Sequence, residues 1–144
     1  MTTTTSTVVQ TRPSPFTWAT SVQYSQGVRA GDFVFTSGQS AADDAGNLVD
    51  GGIEAQARQV LRNIDAILDQ HGASLASVAK LTVYLADRRD FEAFKKVRGE
   101  FFSSPWPAVT AVQNDFLVEG MLIEMDAIAV VGAQRVTADE SEDH

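Results

Sequence analysis

The chain contains no cysteine and only two histidines, His71 and His144. The first absence removes disulfides, thiol nucleophiles and thiolate metal sites together, and it is compatible with a cytoplasmic protein. His71 is expected at a helix end and His144 in an acidic tail, so neither a histidine triad nor a histidine metal cluster finds support. Basic residues are also scarce: 11 Lys and Arg stand against 19 Asp and Glu, for a net charge of -8. Nucleic acid is not an expected partner, because phosphate binding needs a clustered basic surface. No run is long and apolar enough to span a bilayer, so no membrane partner is expected. The opening "MTTTTSTVVQTRPSP" lacks the basic flank and apolar region of a signal peptide. A phosphate-binding glycine loop is missing too, since "GQSAADDAGNLVDGG" has neither the spacing nor the lysine.

What is present fits one domain. The chain has 144 residues, 44% of them hydrophobic and 21% charged, which is ordinary for a globular protein with a real core. Residues 1–15 read as a flexible arm, 16–133 as the folded domain, and 134–144 as a disordered acidic tail. Phe16, Trp18 and Tyr24 precede a turn signal at Ala30-Gly31-Asp32, and "DFVFTSGQ" is strand-like. Gly46-Asn47 marks a turn in the polar loop that follows. Ile53, Ala57, Val60, Leu61, Ile64, Ile67 and Leu68 recur at helical spacing, with Asp50 as the expected cap and Gly72 as the stop. "VAKLTVYLA" is the next strand. A second helix, capped by Asp87 or Asp90, buries Phe91, Phe94, Val97, Phe101 and Phe102. Pro105 and Pro107 close it, because proline lacks the amide a helix needs, and a strand starts at Ala108.

The last strand, "MLIEMDAIAVV", alternates across a sheet. Ile123, Met125, Ala127, Ala129 and Val131 share an apolar face that should meet the helices. Leu122, Glu124, Asp126, Ile128 and Val130 share the other, with the two carboxylates about 7 Å apart. The expected architecture is α+β: a mixed sheet with two helices on one face. Apolar residues on both faces of that sheet imply that a partner chain covers the open one.

Four segments, "YSQGVRAGDFVFTSGQ", "EAQARQVLRNIDAIL", "GASLASVAKLTVYLADRRDFEAF" and "LIEMDAIAVV", together resemble the Rid family, also called YjgF or L-PSP. The likeness runs from Tyr24 to Val131 in consistent order. It implies a chorismate-mutase-like fold and a homotrimer whose sheets face inward, with three clefts between subunits. It also implies hydrolysis of small reactive imines and enamines released by pyridoxal-phosphate enzymes, without metal or cofactor. Tyr24 and Glu124 match the family's catalytic positions, and Ser37 and Gly38 match a serine-glycine pair that meets substrate. An older association of the family with ribonuclease activity finds no support in so acidic a chain.

Three positions depart from the family. Val109 stands where active members carry an arginine that pairs with the substrate carboxylate. Ala111 stands for the usual cysteine, and Lys95 for a frequent cleft asparagine. A buried carboxylate without a cation costs several kcal/mol, so simple 2-imino-acid deamination does not carry over intact. Lys95 or Arg98 could replace the missing cation. The readings left open are a hydrolase or tautomerase of altered specificity, a non-catalytic small-molecule-binding or regulatory trimer, and a structural subunit partnering a biosynthetic enzyme.

Overall fold

The computed structural model describes residues 8–141. Six strands form one sheet: β1 (Val9–Thr11), β2 (Gly27–Ala30), β3 (Phe33–Thr36), β4 (Val78–Leu85), β5 (Ala108–Gln113) and β6 (Ile123–Val130). Their order is β1-β2-β3-β6-β4-β5, and β4–β5 is the parallel pair. Two helices, α1 (Gly52–Gln70) and α2 (Phe91–Phe101), supply the second layer. A short third helix, α3, spans Ala138–Ser141. This is the α+β arrangement expected, with β6 at the centre between β3 and β4.

The alternation along β6 partitions as its residue pattern requires. Ile123, Met125, Ala127 and Ala129 are buried against α1 and α2, while Glu124, Asp126, Ile128 and Val130 are half-buried on the open face. Helix α1 contributes Val60, Leu61, Ile64 and Leu68 to the same core, and α2 contributes Phe94 and Val97. Phe91 and Phe101 are only partly buried, and Phe102 is buried at the helix end. His71 caps the C-terminus of α1; burial, then the charges of Arg12 and Arg29, hold its pKa below the ordinary value.

Two buried amides on α1 hold the loops at one end of the sheet. Asn63 donates to the carbonyls of Ser40 (3.1 Å) and Ala42 (2.9 Å). Gln56 donates to the Gly120 carbonyl (3.1 Å) and accepts from the Leu122 amide (2.9 Å). They lie two turns apart on one helix face, so a single rigid rod fixes both loops. The expected turn at Gly46-Asn47 forms, with Asp43 Oδ1 accepting from the Ala45 and Asn47 amides.

Several local expectations need correction. Asp50 does not cap α1; Gly51 holds that position at φ 114, a left-handed conformation that glycine adopts without strain. Asp90 makes no capping bond either; the Asp87 side chain accepts from the Arg89 amide and caps the 3-10 turn Arg88–Asp90 that precedes α2. Within the segment read as an arm, Val9–Thr11 pair with β2 as an edge strand, because β2 would otherwise leave its ladder groups unpaired. Residues 1–7 lie outside the described residues.

The segment read as a disordered tail is anchored at its start. The Arg135 guanidinium donates to the carbonyls of Pro105 (2.7 Å), Leu75 (2.8 Å), Ala76 (3.0 Å) and Val78 (3.1 Å), and lies 5.6 Å from the Phe102 ring centroid. These carbonyls come from the ends of neighbouring elements, and the planar fork reaches them together. Residues 142–144 lie outside the described residues. Arg135→Ala should lower the urea midpoint, with a loss of about 2 kcal/mol for charge-assisted bonds to partly buried carbonyls; an unchanged midpoint would show that the anchor is idle.

Candidate functional site

The open face of the sheet and the loops at its end form a groove of about 300 Å³ whose lining includes Tyr24, Gln26, Gly38, Gln39 and Glu124. Trp18, Leu48, Val118 and Met121 give it apolar walls. The loops that carry Leu48, Val118 and Met121 are the ones held by Asn63 and Gln56, while Trp18 comes from the 3-10 turn Thr17–Ala19. The Gln39 amide and carbonyl bond to Met125, which continues the β6 pairing past the end of β3. That bridge brings Gly38 directly over Glu124. A Cβ at Gly38 would lie 2.8 Å from Glu124 Oε2 and 2.9 Å from its Cδ, closer than side chains tolerate. Glycine at 38 therefore creates the space in which the carboxylate sits.

Glu124 makes no side-chain hydrogen bond among the described residues. Burial, and then the neighbouring Asp126 charge, raise its pKa above the ordinary value of 4.5. Asp126 has a partner: the Tyr84 hydroxyl donates to its Oδ2 at 3.1 Å. Tyr84 lies opposite Glu124 on β4, and burial, then Asp126, push its phenol pKa up. So the two carboxylates of one strand face are chemically distinct. Asp126 is held, whereas Glu124 is desolvated and uncommitted, the condition for a group that exchanges a proton.

Tyr24 is half exposed at the groove mouth. Ser37 is committed elsewhere: its hydroxyl donates to the Ser25 carbonyl at 2.6 Å and its amide to the Gln26 carbonyl at 2.8 Å. It shapes the turn that delivers Gly38. Trp18 and Gln26 were not read from sequence as site residues. Both line the groove, and Trp18 Nε1 and Gln26 Nε2 are buried donors without a partner among the described residues. The only sequence signal was the cluster of aromatics before β2.

The other expected residues lie elsewhere. Val109 pairs with Leu81 and Ala111 with Val83 in the parallel register, so both side chains share the helix-facing side of β5. Val109 packs against the core. Ala111 lines a second groove of about 160 Å³ with Leu85, Arg88, Phe91, Val112 and Gln113. Lys95 is near it, 5.4 Å from the Phe91 ring centroid, but its Nζ is paired with Glu92 at 2.9 Å. Arg98 lies over the rings of Phe94 and Trp106, 5.7 Å from each centroid. Within one chain the Ala111 groove lies at the edge strand β5, with Val112 of the open face also in its lining, and it shares no residue with the Glu124 groove.

A six-stranded sheet of this order, with two helices on one face and a carboxylate seated on a glycine at the sheet's end, defines the class. The sequence profile described as "Endoribonuclease L-PSP" matches residues 16–131, and the chain belongs to that family, the YjgF or Rid family. A RutC family protein of Pyrococcus abyssi is 45% identical over 107 residues, 74% of this chain and 84% of that one. A 2-iminobutanoate/2-iminopropanoate deaminase of Capra hircus is 43% identical over 110 residues, 76% and 80% of the two chains. Among solved structures, RidA from an Antarctic Psychrobacter superposes with a TM-score of 0.75 at 38% identity, covering 85% of this chain and 98% of its own. A putative endoribonuclease of Thermotoga maritima superposes with the same TM-score at 36% identity, over 87% and 97%.

The Glu124 carboxyl should titrate above 4.5 when followed by carbon-detected NMR. Asp126→Asn should lower that value without returning it to 4.5, because burial is the larger cause. The sign for stability follows: the folded state binds this proton more tightly than the unfolded state, so the contribution falls as pH rises from 4.5 through the folded value. A midpoint at or below 4.5 would refute the desolvated environment.

Proposed function

We propose that the chain hydrolyses small reactive imines or enamines to carbonyl compounds and ammonia, in a cleft between copies of itself, with Glu124 as the proton-transfer group and Tyr24 beside it. The observation that carries this reading is the uncommitted Glu124 carboxylate seated on Gly38 in a groove that Tyr24 also lines. Relatives named as iminobutanoate/iminopropanoate deaminases support the reaction class.

The chemistry asks little of the protein. A water oxygen attacks the C=N carbon, and Glu124 accepts the proton that the water sheds. The nitrogen takes up protons in turn, with Glu124 returning the one it accepted, and the carbinolamine collapses to a C=O group and ammonia. An enamine enters by first taking a proton on carbon. A carboxyl pKa raised by burial suits a group that both accepts a proton and gives it back. Tyr24 can donate its hydroxyl proton to a substrate acceptor or orient the water.

The assembly belongs to the same proposal. Phe33 and Phe35 remain 50% and 40% exposed beside Val130 and Ile128 on the open sheet face, and Val112 is exposed on the same face at the β5 edge. A patch of that kind needs a cover. Apposing copies through it would cover the patch and bring the Glu124 groove of one chain toward the Ala111 groove of the next. Light scattering should therefore give about three times the 15.5 kDa chain mass, and a stable monomer would overturn the assembly.

Activity gives the decisive comparison. Glu124→Gln keeps the shape and removes the base, so imine hydrolysis should fall about 10²-fold or more. Asp126→Asn should fall less, and both variants should keep the wild-type oligomeric state. Equal losses would reject the assignment. The second reading, a non-catalytic binding trimer, is favoured by Val109, which packs on the core and offers no charge. It becomes the better account if no imine in a screen turns over.

A further inference from the structure

We propose that Arg88 is the cation that anchors a substrate carboxylate in this chain, serving where position 109 has no charge to offer; the inference rests on the imine-hydrolase reading above. The ligand class is a small 2-imino monocarboxylate with an apolar side chain, and its 2-oxo acid product.

Arg88 lines the groove of about 160 Å³ that also contains Ala111. Its side chain makes no ion pair or hydrogen bond among the described residues. The reason is next door: Asp87, the one acidic side chain close by in sequence before the turn, is taken by Arg89. Arg89 Nε lies 3.1 and 3.0 Å from the two Asp87 oxygens, and Nη2 lies 2.6 Å from Oδ2. Arg88 still feels the Asp87 charge through space, and Asp90 closes the turn, but among the described residues neither carboxylate forms an ion pair with the Arg88 guanidinium. The expected substitutes are not in that condition. Lys95 is paired with Glu92, and Arg98 is held over two aromatic rings.

The turn that carries Arg88 is tied to the strand that carries position 109. The Arg88 amide donates to Gln113 Oε1 at 2.6 Å, and Gln113 shares the helix-facing side of β5 with Val109 and Ala111. The remaining lining of the groove is Leu85, Phe91, Ala111 and Val112. A guanidinium over such a surface attracts a carboxylate more strongly than one in open water, and its planar fork donates to both oxygens. With alanine at 111 and valine at 109, room for the ligand is left on the strand side, and the charge comes from the turn opposite.

The test compares wild type, Arg88→Ala and Arg88→Lys on the imine generated in situ from 2-aminobutanoate and on the imine of its methyl ester. Arg88→Ala should raise KM for the carboxylate substrate at least about tenfold, the scale of one lost charge-assisted contact. It should leave the ester within about twofold, and Arg88→Lys should recover part of the loss. An unchanged KM, or equal losses on acid and ester, would overturn the proposal. Titration with 2-oxobutanoate, followed by NMR, separates it from the reaction itself. If wild type turns over neither imine, the hydrolase reading fails, and Arg88 is judged on this binding alone. Weakening of at least about tenfold in Arg88→Ala upholds the anchor; equal affinity, or no binding by wild type, rejects it.

Discussion

The period of two along β6 is the constraint on which the other features depend. β6 lies between β3 and β4, so its two faces set what lies above and below the whole sheet. Ile123, Met125, Ala127 and Ala129 must face α1 and α2, which leaves Glu124 and Asp126 on the open side. A register shift of one residue would bury both carboxylates in the core, at a cost no partner there could offset. The pairing that builds the core therefore also delivers the acidic pair to the face where ligands can reach it.

Placing a carboxylate on a face does not make it reactive. Two further features separate Glu124 from Asp126. The Gln39–Met125 bridge extends β3 far enough to lay Gly38 over Glu124, and Tyr84 reaches Asp126 instead. Gln56 and Asn63 then hold the surrounding loops to α1 by their backbone groups, so the groove is built on a helix and not on free loops. Sites supported in this way keep their geometry better than sites on unsupported loops.

Charge follows the same logic of local occupancy. Most cations around α2 and its leading turn have a partner at hand: Arg89 with Asp87, Lys95 with Glu92, Lys96 with Glu54, and Arg98 over two rings. Arg88 makes no such contact among the described residues, because Arg89 holds both oxygens of Asp87. Sequence spacing could not reveal this, since Asp87, Arg88 and Arg89 are adjacent and either arginine could have taken the carboxylate.

The amino-acid sequence by itself determined the two long helices, the order of the elements from β2 to β6 and the two faces of β6, because apolar periodicity and proline placement act over a few residues; β1 was hidden in a segment that read as an arm. It also carried the family likeness, and through it Tyr24, Gly38 and Glu124 as candidate positions, which line one groove in the fold. Capping was misread at Asp50 and Asp90, where left-handed Gly51 and the 3-10 turn at Arg88–Asp90 decide the ends. The anchoring of Arg135 was likewise invisible, since its acceptors come from two segments distant from it in sequence, 75–78 and Pro105. Only the tertiary structure decided that Ser37 serves a turn, that Trp18 and Gln26 line the groove, and that Val109 and Ala111 lie across the sheet from Glu124. Those outcomes depend on which partners meet across the fold, and a side chain's commitment to a partner is a property of the packed chain.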